Sequence, residues 1–285
     1  MKKTILSASV AALLAVSAMS AMAEDAPASP LSFNVGVTSD YVFRGISQTH
    51  HDPALQGGID YAFSNGFYVG TWASTINWVK DGYGKGDFEL DIYGGYKGVF
   101  ADPDWTYDVG FITYNYPGHG KGLPNINTGN NPNSQEAYGS IGWKWLSAKY
   151  SYATSSHFIG WNAGANYDQK TRGSDYLELN ANYDLGDGWT AIGHVGTQNI
   201  KGYVGGTNKS ANYTDWKLGV SKDVGFGVVT AAYSATDASG SCNSSTGGTS
   251  AYCWATGTFV AGSGSTTNFK DVAKGVVAVS FTKAF

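Results

Sequence analysis

Residues 176–196 read YLELNANYDLGDGWTAIGHVG and carry a period of two on either side of a glycine-rich turn. On a pleated strand Leu177, Leu179, Ala181, Tyr183 and Leu185 share one face, and Tyr176, Glu178, Asn180, Asn182 and Asp184 share the other. Gly186-Asp187-Gly188 tolerates the positive φ of a tight hairpin. The second arm sets Trp189, Ala191, Gly193 and Val195 against Thr190, His194 and Gln198, with Ile192 the one apolar member of the polar phase. A two-stranded ribbon is marginal alone, so the rest of the chain has to extend it.

It does so. Alternating strands are predicted from Ser32 to Gly45, over Leu55 to Phe63, near Phe67 to Trp78 with ambiguous phase, and from Asp87 to Gly98. They continue near Trp105 to Tyr116, Glu136 to Trp145 and Ala148 to Thr154, through the hairpin above, then over Thr214 to Lys222, Phe226 to Ser234 and Val276 to Phe285. Twelve strands result. Short turns at 64–66, 98–104, 146–147, 186–188 and 223–227 alternate with longer Gly/Asn/Ser-rich loops at 46–54, 79–86, 117–135, 155–174, 199–213 and 235–272. With an even strand count, every long loop falls at one end and both termini at the other. That pattern fits a transmembrane antiparallel up-and-down β-barrel; Greek-key connections would mix the loop lengths.

Composition agrees with an all-β membrane chain. Gly at 39 residues, 14% aromatic and 14% charged residues describe a turn-rich β protein. The formal charge of −4 argues against a partner with a phosphate backbone, so no nucleic acid is expected. Residues 1–23 read as a secretory signal peptide: Lys2 and Lys3, an apolar run, then Ala21-Met22-Ala23 as cleavage site. Cleavage after Ala23 removes those two lysines, takes the charge from −4 to −6 and leaves residues 24–285 as one barrel domain. The expected location is the bacterial outer membrane, with its lipid and small polar solutes as partners. Val277, Val279, Phe281 and Phe285 alternate to a terminal aromatic, as such barrels commonly do.

Residues 39–48 (SDYVFRGISQ), 53–58 (PALQGG), 66–72 (GFYVGTW), 89–93 (ELDIY), 143–152 (WKWLSAKYSY), 176–180 (YLELN) and 215–222 (DWKLGVSK) resemble the TorF-type porin family, also called Gcw_chp outer-membrane proteins. The resemblance spans nearly all of the mature chain. It implies an outer-membrane channel and brings no catalytic residue and no cofactor. The segment 235–272 exceeds its usual counterpart.

By alternation the lumen face carries Asp40, Asp60, Asp87, Glu89, Asp91, Glu136, Glu178, Asp184 and Asp215 against Arg44, Lys97, Lys144, Lys149 and Lys217. Acid exceeds base, so a weak cation preference is expected, with the Asp87, Glu89 and Asp91 row as its main source. No metal site is expected, because one strand cannot converge ligands from several sides. A serine hydrolase would require a triad; His194 and Ser221 supply the residue types without a motif, so no enzyme is expected. Trp72, Trp78, Trp105, Trp145, Trp189 and Trp216 are expected in interfacial girdles. Cys242 and Cys253, the only cysteines, are expected to form a disulfide in an oxidising compartment. Two alternatives to the channel stand open: a plugged structural or surface-interaction barrel, and a lipid-modifying outer-membrane enzyme.

Overall fold

The computed structural model describes residues 29–100, 102–119, 131–161, 170–202, 211–256 and 268–285; the expected signal peptide lies outside them. Twelve strands form one closed antiparallel barrel. They are β1 (Leu31–Thr38), β2 (Ala54–Ala62), β3 (Phe67–Thr75), β4 (Phe88–Val99), β5 (Trp105–Asn115) and β6 (Ser134–Trp143). Then follow β7 (Leu146–Ala153), β8 (Asp175–Gly186), β9 (Trp189–Asn199), β10 (Tyr213–Asp223), β11 (Val228–Thr236) and β12 (Val276–Ala284). Each strand pairs with its sequence neighbours, and β1 closes on β12 from Asn34↔Ala284 to Thr38↔Ser280. Closure satisfies the backbone groups that an edge strand would expose.

The period of two decides which side chain meets which medium. Leu55, Ile92, Leu179, Leu218 and Val277 point outward and are each more than half exposed. So broad an apolar surface is foreign to a soluble monomer and suits lipid. Trp105, Trp143, Trp145 and Trp189 ring the short-turn end, and Trp216 lies nearer the other. Trp72 and Trp78 depart from the girdle expectation: both are buried, Trp72 because β3 turns Tyr68, Gly70, Trp72 and Ser74 inward, Trp78 because it opens a short helix, α1 (Trp78–Tyr83). Ile192 stays in the polar phase and faces inward with its cross-strand neighbours Asn182 and Gly219.

Predicted boundaries move, the third strand ending at Thr75 before Trp78. The first strand stops at Thr38 rather than Gly45, because Ser39 locks onto Val279 (its N–H donates to the Val279 carbonyl at 2.8 Å, its Oγ accepts from the Val279 N–H at 2.9 Å) and the chain then bends into the barrel. The turn after β6 is Lys144-Trp145, with Lys144 at φ 52°, two residues before the predicted 146–147, which open β7 instead. The Gly-Asp-Gly turn stands as expected, at φ 86°, 51° and 75°.

The 237–275 connection contains small strands at Cys242–Asn243 with Gly247–Gly248 and at Cys253–Thr256 with Asn268–Asp271. Cys242 and Cys253 are disulfide-bonded, eleven residues apart. A ring of that size contributes about 3 kcal/mol in the chain-entropy account. The Cys242→Ser/Cys253→Ser variant is expected to leave the barrel's melting unchanged while Tyr252 and Trp254 gain exposure, seen as a red shift in tryptophan fluorescence. An unchanged spectrum would show that packing alone holds this segment.

Candidate functional site

Inside the barrel, tyrosines reach carboxylates along the wall, three of the four pairs below across an intervening strand. Tyr93 Oη donates to Asp60 at 2.6 Å, Tyr68 Oη to Asp108 at 2.7 Å, Tyr114 Oη to Glu136 at 2.8 Å and Tyr176 Oη to Asp215 at 2.7 Å. The rings lie against the wall where glycine removes the side chain next door. A Cβ on Gly110 would come within 2.4 Å of Tyr138 Oη, and one on Gly196 within 2.0 Å of Tyr176 Oη. The phenols thereby give buried carboxylates the hydrogen bonds that desolvation would otherwise deny them.

Burial follows a gradient along the axis. On β8, Tyr176, Glu178 and Asn180 are buried, whereas Asn182 and Asp184 toward the turn are exposed; on β4, Glu89 and Asp91 are buried and Lys97 is exposed. The lumen is therefore open toward the short turns and filled toward the long loops. What fills it is the segment after β1. Val42–Phe43 and Ile46–Ser47 form a small hairpin whose tip is Arg44-Gly45, at φ 47° and 76°. Gly45 sits where a Cβ would meet Asp215 and Thr236 at 2.6 Å, so both its φ and its surroundings call for glycine.

Arg44 spans the bore. Its guanidinium forms a fork with Glu136 of β6 at 3.0 and 2.7 Å and donates to Gln198 of β9 at 2.9 Å. It also lies over the rings of Tyr176 at 4.3 Å, Phe43 at 4.9 Å and Phe158 at 5.6 Å. Its side chain is 5% exposed and that of Glu136 0%. Around it Tyr41, Trp72, Ile76, Trp78, Val79, Tyr114 and Tyr116 form a buried cluster, and Ile46 joins Tyr213, Tyr252 and Val272 in another.

The same segment is tied down from above. His50 Nδ1 lies 2.9 Å from Asp81 of α1, and His51 Nδ1 lies 2.8 Å from Asp40. Lys270 Nζ donates to the His50 carbonyl at 2.6 Å, and the Ser47 N–H to the Val272 carbonyl at 2.8 Å.

The predicted wall residues divide accordingly. Asp60, Glu89, Asp91, Glu136, Glu178, Asp215, Lys97, Lys149 and Lys217 occupy inward strand positions, and Asp184 shares that phase at the exposed turn end. Asp40 and Arg44 belong to the inward segment, since β1 has already ended. Asp87 precedes β4 and is exposed, and Lys144 is in a turn, 3.3 Å from Asp104. Lys149 is buried over the Tyr138 ring at 4.3 Å, and its Nζ has no hydrogen-bond partner among the described residues. Asp108 completes the inner wall; strand five's alternation carries it, in the same phase as Tyr114.

His194 meets Asn180 through Nδ1 at 2.6 Å and Asp215 through Nε2 at 2.9 Å. Both ring nitrogens are thus engaged in a Tyr176–Asp215–Asn180 network rather than with Ser221, whose cross-strand neighbour is Thr190. Among the described residues no group of three or more His, Cys, Asp or Glu side chains is placed to hold a metal ion.

Residues 22–261 match the Gcw_chp family, described as a bacterial protein of unknown function. No curated protein matches the chain. Among solved structures, the KdgM porin in complex with disordered oligogalacturonate is 9% identical, with TM-score 0.46 over 90% of this chain and 98% of that one. A second KdgM porin structure is 9% identical, with TM-score 0.47 over 89% and 99%. The NanC porin is 11% identical, with TM-score 0.45 over 90% and 98%.

Proposed function

We propose that this chain, which belongs to the Gcw_chp family of bacterial proteins of unknown function, is an outer-membrane channel for small polar solutes, closed in this conformation by the Arg44 hairpin. The observation that carries this is the pairing of an apolar outer wall with a charged inner wall whose blockage is a loop, not the strands. Plugged by a folded-in loop held through polar contacts and the packing of Tyr41, Phe43 and Ile46, the bore can open without breaking a barrel strand. The short turns would face the periplasm and the long loops the outside. The plugged structural barrel, the competing assignment, is favoured by the same Arg44 contacts, and conductance separates the two. In planar bilayers the purified protein is expected to show brief openings to a narrow pore; silence at every voltage, pH and hairpin sequence would leave the structural assignment.

Weak cation preference is part of the proposal, with its source narrowed to Glu89 and Asp91 because Asp87 lies off the wall. Tyrosine hydrogen bonds and Arg44 spread much of the remaining carboxylate charge, so selectivity is expected to be modest and strongest at low salt. In a KCl gradient the Glu89→Gln/Asp91→Asn variant should move the reversal potential toward zero. An anion-selective wild type, or a variant equal to a cation-selective wild type, would remove this assignment.

A further inference from the structure

We infer that His51 is a proton-operated clasp that holds the Arg44 hairpin shut, so that acid closes the bore and alkali frees it. The inference rests on the proposed channel and assigns its regulation. Both nitrogens of the His51 ring face oxygens: Nδ1 lies 2.8 Å from Asp40 Oδ2, and Nε2 lies 2.9 Å from the Asp271 carbonyl. A carbonyl only accepts. Asp40 as a carboxylate accepts too, and its other oxygen takes hydrogen bonds from Ser47 Oγ at 2.6 Å and Thr49 Oγ at 3.0 Å. Neutral imidazole has one N–H and one lone pair, so it can satisfy one of these oxygens and must turn its lone pair on the other. Only the imidazolium donates from both nitrogens. The closed arrangement is the arrangement of the protonated ring.

The surroundings reinforce this. The titratable and charged groups about His51 are Asp40 and Asp52 on its own segment, His50 beside it with Asp81 of α1, and Lys270 and Asp271 of the 268–271 strand. The hydrogen bond to Asp40 raises the imidazole above its ordinary value of 6.5, against partial burial and the opposing charge of Lys270. Because the closed-state value is the higher one, the clasp is at full strength below the ordinary imidazole range and weakens as pH rises through the raised value. The chain geometry transmits the change: His50 and His51 both sit at positive φ, 56° and 66°, six and seven residues from Arg44, on a segment with its other ties at Ser47, Thr49 and His50. Releasing the ring removes one of the ties between that segment and the 268–272 stretch on the far side of the barrel seam, and leaves Lys270 on the His50 carbonyl and the Ser47 N–H on the Val272 carbonyl to carry the rest.

The test is amide hydrogen exchange of the full-length mature protein in lipid nanodiscs, corrected for intrinsic pH dependence and compared at pH 5.5 and 8.5, with bilayer currents recorded in parallel. Protection of residues 39–53 is expected to fall roughly tenfold at the higher pH, the scale of one charge-assisted hydrogen bond, while the β8–β9 amides stay protected. His51→Gln should abolish the step and show the high-pH exchange at both values; Asp40→Asn should reduce it. His157→Gln, at a half-buried imidazole of the 154–161 loop, should leave it intact. A wild type without the step, or a step that survives His51→Gln and disappears in His50→Gln, would overturn the clasp. A step in exchange with no current under any condition would uphold the clasp and reject the channel.

Discussion

Arg44→Ala is expected to turn a mostly closed barrel into a continuously conducting one. The substitution leaves Glu136, which is inaccessible to solvent, with the Tyr114 hydroxyl as its remaining side-chain donor among the described residues, and deprives Tyr176, Phe43 and Phe158 of the cation between them. Breaking a buried pair by removing one partner costs about 3–5 kcal/mol, because the survivor stays buried and uncompensated. Here the structure has a less costly response: the hairpin swings out and water reaches Glu136. The expected readout is sustained open current in bilayers, with strand content and heat resistance of the barrel little changed. Glu136→Gln should open the channel less than Arg44→Ala, since the amide oxygen can still accept from the guanidinium. A closed Arg44→Ala barrel would mean that the aromatic clusters, not the ion pair, seal the bore.

Gly196→Ala is expected to produce the largest loss of barrel stability among single conservative changes. The new methyl would meet the Tyr176 hydroxyl at 2.0 Å, and Tyr176, 1% exposed, has no free space into which to turn. Its hydroxyl holds Asp215 at 2.7 Å and His194 at 2.9 Å, and its ring carries Arg44, so displacement passes to the whole inner network. Overpacking of this kind costs about 1–3 kcal/mol. Urea unfolding in lipid should show a lower midpoint, and the variant should also leak current. Gly193→Ala on the same strand points outward, where the nearest neighbour would stand at 3.7 Å, and should be neutral. Equal midpoints for the two variants would show that the tyrosine yields freely.

The barrel was legible because a two-residue period and a two-length loop rhythm are local, repeated signals. Glu178 and Leu179 announce opposite faces from their positions alone. The plug was not legible in the same way. Asp40 and Arg44 continue the alternation of β1, and nothing in their spacing says that the strand ends at Thr38 and the chain turns inward. The partners of Arg44, Glu136 and Gln198, stand 92 and 154 residues away, beyond any local pattern. The inner tyrosines are a middle case. Tyr93 lies in phase with Glu89 and Asp91, and Tyr176 with Glu178, so the alternation held the answer while the expectation of girdles drew attention to the outer face. Asp87 and Lys144 kept the phase of their neighbours one residue past the strand, where phase no longer fixes direction.

The claim that the hairpin is the gate of a membrane-spanning channel is tested most directly by tethering it. In an Arg44→Cys/Gln198→Cys variant, a cleavable bifunctional thiol reagent would replace the lost contact between hairpin and wall, with Arg44→Cys alone as control. The account predicts steady current before reaction, silence once the bridge has formed, and return of the current when the bridge is cleaved, in the double variant only. Current that runs undiminished through the bridged protein would contradict it, because ions would then be passing by a path that the hairpin does not close.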